Sequence, residues 1–139
     1  MPLRRAFALC AAVAMLPVVA GCNSTAEVNK RPHPGTATAS PLAGGVQQVV
    51  VRSGVDLRFH PSTIVVHPGT VRLVLINTAK PGNGPPHNIQ FSGLPGADVA
   101  DTQAGYSSSV TFTAPAPGTY DFVCSIHAAQ GQTGKLIVR

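Results

Sequence analysis

Few residues in this chain could do chemistry. Cys124 and His127 stand three apart in Cys124-Ser125-Ile126-His127 and open a loop rich in Gly and Gln that runs to Lys135. His87 follows Pro85-Pro86 at the head of the alternating run His87–Phe91. One thiolate with two imidazoles suits copper, because the soft sulfur favours Cu(I) while the nitrogens also accept Cu(II). Zinc accepts the same atoms, but structural zinc usually takes four strong ligands and commonly two or more cysteines. No paired carboxylate motif, nucleophile elbow or phosphate loop accompanies these residues, so an enzyme is not expected.

The elements that must carry these side chains read as strands. From Val46 onward, short β-rich runs are cut by Gly, Pro and Asn: 46–52, 55–59, 63–66, 70–77, 87–91, 108–114, 119–124 and 135–139. No segment sustains an apolar period of 3.6, and only 99–104 has room for one helical turn. Many short strands at this spacing predict an all-β sandwich or small barrel. Alternation within a strand puts His87, Ile89 and Phe91 on one face, and Tyr120, Phe122 and Cys124 on another. A histidine and a cysteine thus lie on inward faces at the ends of two separate strands, near the rim of the sandwich.

Cysteine usage depends on where the chain goes. Residues 1–21 have a basic start, an apolar run from Ala6 to Ala20 and a small-residue ending, the pattern of an export signal. Fifteen apolar residues interrupted by Pro17 fall short of the roughly 20 that a spanning helix needs. Val19-Ala20-Gly21-Cys22 resembles the lipobox of bacterial lipoproteins, in which cleavage precedes a cysteine that becomes diacylglycerol-modified. Cys22 is therefore the expected lipidation site, and the mature protein is expected outside the cytoplasm, tethered to the bacterial membrane. Arg4-Arg5 with Phe7 leaves twin-arginine export open. With Cys10 in the leader and Cys22 lipidated, Cys124 is a lone thiol in an oxidising compartment: incidental, dimerising or a ligand.

Composition narrows the rest. Charged residues are 11% of the 139 residues, with 44% hydrophobic, which excludes a disordered polyelectrolyte. Arg4 and Arg5 account for two of the ten basic side chains, leaving eight against five acidic ones after cleavage, a formal +3. Those charges are scattered, so nucleic acid is not an expected partner. Residues 22–45, which open on Cys22, are rich in Thr, Ser, Ala, Pro and Gly with little to bury and read as a flexible tether; the domain proper is assigned to 46–139.

With these residues in view, the chain from Val46 to Arg139 resembles the cupredoxins, the blue-copper proteins of the plastocyanin, pseudoazurin and amicyanin type. Phe59 to Val71 resembles their early strands, Pro86-His87-Asn88 their first copper histidine and its asparagine, and Tyr120 to His127 their strand into the ligand loop. The resemblance implies a Greek-key sandwich of about seven to eight strands. It implies His87, Cys124 and His127 as ligands of one copper, with Asn88 tying the two ligand loops together. Where the family usually carries an axial methionine, five residues after the second histidine, this chain has Gln132, like the stellacyanin-type plant proteins. Gln130 is the weaker competitor.

Copper enzymes of this fold need a second cysteine or further paired histidines, and this chain has neither beside the site. One-electron transfer is the leading expectation, in a monomer whose redox partners dock near His127 on a rim made apolar by Pro85, Pro86, Ala128 and Ala129. The alternative is a module that buffers or delivers copper. His60 and His67, each before a proline, are read as turn or surface residues, and His33 as a solvated residue of the tether.

Overall fold

The computed structural model describes residues 35–139. The leader, Cys10, Cys22 and His33 lie outside those residues. Among the described residues ten strands run in chain order: β1 (Thr36–Thr38), β2 (Ser40–Pro41), β3 (Gln47–Ser53), β4 (Thr63–Val66), β5 (Gly69–Asn77), β6 (His87–Phe91), β7 (Val99–Thr102), β8 (Ser107–Ala114), β9 (Gly118–Val123) and β10 (Thr133–Val138). They form a six-stranded sheet of order β1-β4-β10-β9-β6-β7 and a four-stranded sheet of order β2-β3-β5-β8. The all-β sandwich expected from the sequence is thus the observed fold. Among the described residues no helix is long and apolar enough to cross a membrane.

Alternation explains how the sheets face one another. In β5, Val71, Leu73 and Leu75 are buried while Thr70 and Arg72 point out. They meet Val49 and Val51 of β3, Ile64 and Val66 of β4, Phe122 of β9 and Leu136 of β10 in a single core. Phe122 is its pivot, with its ring centroid 5.3 Å from that of Phe59 and 5.2 Å from that of Phe91, both tilted. Gly134 faces Phe122 across the β9–β10 pair, and a Cβ there would lie 2.3 Å from the Phe122 ring. Only glycine at 134 leaves room for that ring.

Three segments differ from the sequence reading. Residues 55–59 alternate like a strand but form a turn, with Leu57 at φ 56° and its N–H donating to Gly54 O. Only His60, beyond that turn, bridges back to Arg52. Residues 99–104 hold no helical turn: Val99–Thr102 is an edge strand paired antiparallel with β6. Part of the stretch read as a tether belongs to the sandwich, since β1 pairs with β4 and β2 with β3. Backbone pairing at a sheet edge needs no apolar side chains, so composition concealed it.

Candidate metal centre

Two strands deliver the site to one end of the sandwich. β6 and β9 are antiparallel neighbours, with Phe91 opposite Phe122, so His87 at the start of β6 lies near Cys124 just past the end of β9. Both are fully buried. After Cys124 the chain curls into a compact loop: His127 N–H donates to Cys124 O (3.1 Å), Gln130 N–H to His127 O (3.0 Å), and Cys124 N–H to Gln132 O (3.0 Å). Gly131 takes the left-handed conformation at φ 80° that turns this loop into β10. The closure returns Gln132, also fully buried, to the same place.

The result is one cluster. The ligand atoms of His87, Cys124 and His127 lie within 4.8 Å of one another, with Cys124 Sγ 3.6 Å from His127 Nδ1. The two imidazoles are 5.1 Å apart between centroids. Gln132 Oε1 lies 3.1 Å from His87 Nδ1, and Gln132 Nε2 donates to Ser53 Oγ at 2.5 Å. Gln130 is half-buried, and its Oε1 has no hydrogen-bond partner. His60 pairs with Asp56 at the surface, and His67 Nδ1 bonds Arg139 O, both apart from the cluster.

Backbone and amide groups hold the imidazoles and loops in place. His87 Nε2 lies 3.1 Å from Gly54 O and Nδ1 lies 3.1 Å from Gln132 Oε1, and the tautomer that donates Nε2–H to Gly54 O is the one that leaves the Nδ1 lone pair facing the cluster for a metal. Asn88 Nδ2 donates to Ser125 Oγ and to Asp101 Oδ1, both at 2.8 Å, and its Oδ1 accepts from Ser125 N–H at 2.9 Å. It joins β6, the ligand loop and β7. Asn77 Nδ2 donates to Pro85 O (2.8 Å) and Thr102 O (3.0 Å), fixing the approach to His87. Sequence reasoning missed Ser53, Gly54, Asn77 and Asp101, because no motif marks residues whose role comes from strand register.

The electrostatics favour neutral imidazoles. Burial, then the neighbouring His127, lowers the His87 pKa below its ordinary 6.5, against the opposing pull of Gly54 O, Gln132 and Asp56. Burial lowers His127 as well. Neutral imidazole is the form that binds a metal. His127 is only part-buried, and Ile126 beside it is 42% exposed, so this edge of the cluster meets the surface.

A buried sulfur and two ring nitrogens converging from preformed loops suit copper. A family model described as copper binding proteins of the plastocyanin/azurin family matches residues 46–139. The chain belongs to that family, and its cofactor is copper. The chloroplastic plastocyanin of Oryza sativa subsp. indica is 35% identical over 115 residues, spanning 73% of this chain and 70% of that protein. Reduced auracyanin from the photosynthetic bacterium Roseiflexus castenholzii superposes with a TM-score of 0.58 at 27% identity, covering 66% of this chain and 96% of that one. The metal-binding domain of the Cu(I)-exporting P-type ATPase CopA of Streptococcus pneumoniae D39 gives a TM-score of 0.59 at 22% identity over 76% of this chain and 96% of that one, a likeness of fold alone.

Proposed function

We propose that this protein is a mononuclear electron carrier whose copper is held by His87, Cys124 and His127, with Gln132 as a weaker axial ligand. The observation that carries this reading is the convergence of the three ligand atoms within 4.8 Å on loops already closed by their own hydrogen bonds. Bound copper supplies a one-electron Cu(II)/Cu(I) couple. The chain's part is to keep the ligand positions alike in both states. Gly54 O fixes the ring of His87, Ser53 Oγ fixes the amide of Gln132, and Asn88 locks the Cys124 loop to β6. Such preorganisation favours transfer over capture and release.

His127 is the electron portal, since its ring joins the buried cluster to the surface between Ile126 and Ala128. Exposed Ala128 and Ala129 and half-buried Pro85 and Pro86 offer redox partners a small, weakly binding apolar contact. Upstream, Cys22 carries a lipid that tethers the carrier to the bacterial cell membrane, outside the cytoplasm. Plastocyanin and auracyanin among the similar proteins support the electron-carrier reading over copper delivery.

Stopped-flow mixing of the reduced copper protein with an oxidised soluble redox protein tests this. Rapid, reversible one-electron exchange with copper retained is expected. Loss of copper to a Cu(I) acceptor faster than electron exchange would favour delivery.

A further inference from the structure

Arg58 is the one lysine or arginine buried among the described residues, at 3% exposure. Its Nη1 donates to Gly131 O at 2.5 Å, while Nε and Nη2, which form one edge of the guanidinium, are buried without a partner. No carboxylate neutralises it: among the described residues the only close contact between a basic side chain and a carboxylate joins His60 to Asp56. Arginine stays protonated throughout the pH range in which proteins are folded, so this is a fixed charge in a poorly screened place. A buried cation without a counter-ion is unfavourable in itself and needs an account.

Its position supplies one. Arg58 lies in the turn between Gly54, whose carbonyl holds His87, and Phe59, which packs on Phe122. Its guanidinium reaches 73 residues along the chain to Gly131, between His127 and Gln132. A permanent positive charge is thereby pressed against the loop that presents Cys124, His127 and Gln132. With a thiolate ligand, the centre is net +1 when it holds Cu(II) and neutral when it holds Cu(I). A fixed cation nearby destabilises the first state relative to the second.

We propose that Arg58 is a positioning residue that clamps Gly131 and biases the centre toward Cu(I), opposing the preference for Cu(II) that an axial amide oxygen imposes. The inference rests on the copper site at His87, Cys124 and His127, and not on the identity of any redox partner. Reduction adds one electron, and no proton moves through Arg58.

The test uses detergent-solubilised full-length protein with Arg58→Lys, Arg58→Gln and Arg58→Met. Reduction potential is read by mediator titration and Cu(I) affinity by competition with bicinchoninate, alongside the thiolate-to-copper absorption band. Arg58→Met and Arg58→Gln should each shift the Cu(I)/Cu(II) affinity ratio toward Cu(II) by about tenfold, roughly 59 mV for one electron, with the band retained. Arg58→Lys, which keeps the charge, should stay within about threefold of wild type, roughly half that shift. Arg58→Gln keeps a donor for Gly131 O and decides the matter if Arg58→Met does not fold. Neutral variants with unchanged potential, or a lysine variant shifted as far as they are, would overturn the bias. A wild type without the copper band would overturn the copper site itself, which is a separate result.

Discussion

Gln132 Oε1 faces His87 Nδ1 at 3.1 Å, while Gly54 O faces the other ring nitrogen of His87 at the same distance. A neutral ring has one N–H for these two acceptor oxygens, so at one of them two lone pairs point at each other inside a fully buried site. Such an arrangement is favourable only with something positive between or beside them, a proton or a metal ion. Desolvation disfavours the proton.

That relationship makes Gln132 the residue to change first. An amide oxygen is a harder donor than a thioether and favours Cu(II). Gln132→Met should therefore raise the reduction potential, and the electron paramagnetic spectrum should pass from more rhombic in wild type to more axial in the variant. Redox titration and spectroscopy of the same pair of proteins check this. If neither quantity moves, Gln132 is not a ligand, and Gln130→Met is the next variant.

Asn88 makes three hydrogen bonds that join β6, β7 and the ligand loop. At about 0.5–1.5 kcal/mol each, Asn88→Ala should destabilise the metal-free protein by roughly 2–4 kcal/mol. Urea denaturation monitored by tyrosine fluorescence measures it. A loss under about 0.5 kcal/mol would mean that the loops hold together without this side chain.

How far the sequence disclosed this site depends on the kind of residue. Cys124, His127 and His87 were legible because their chemistry is rare and, for His87 and Cys124, because strand alternation sets their direction. Asn88 was legible only through resemblance. Ser53, Gly54 and Arg58 were not, since each acts through a partner 33 to 79 positions away that only the fold brings near. The alternating pattern of Val55–Phe59 misled because Leu57 takes a left-handed conformation and its N–H closes a turn onto Gly54 O. Strands β1 and β2 were hidden because they pair through backbone at the sheet edges.

Acid should weaken the metal-free fold. The folded-state pKa values of His87 and His127 lie below the ordinary 6.5. Below that value the unfolded chain binds more protons than the folded one, so stability is full above it and falls as pH drops toward the depressed values. Urea midpoints of the metal-free protein should decline between pH 7.5 and pH 5. A midpoint that held steady or rose over that range would show that these imidazoles are not buried neutral.

Attachment to the membrane should depend on Cys22. A Cys22→Ser protein should lack lipid, and either persist as precursor or appear in the soluble extracytoplasmic fraction. One acyl chain binds only marginally, so stable anchoring needs the several chains of a processed lipoprotein. Mass spectrometry of the native amino terminus checks this, and an unlipidated terminus at another residue would contradict it.

The central claim is that Cys124 sulfur, with His87 and His127, forms a copper centre, and one titration tests it most directly. Purified wild-type and Cys124→Ser proteins are each given one equivalent of Cu(II), and visible absorption is recorded. Wild type should develop an intense thiolate-to-copper band at one copper per chain, and Cys124→Ser should show none, because a hydroxyl cannot supply the soft anionic sulfur. A Cys124→Ser protein with the same band, or a folded wild type that binds copper without it, would contradict the account.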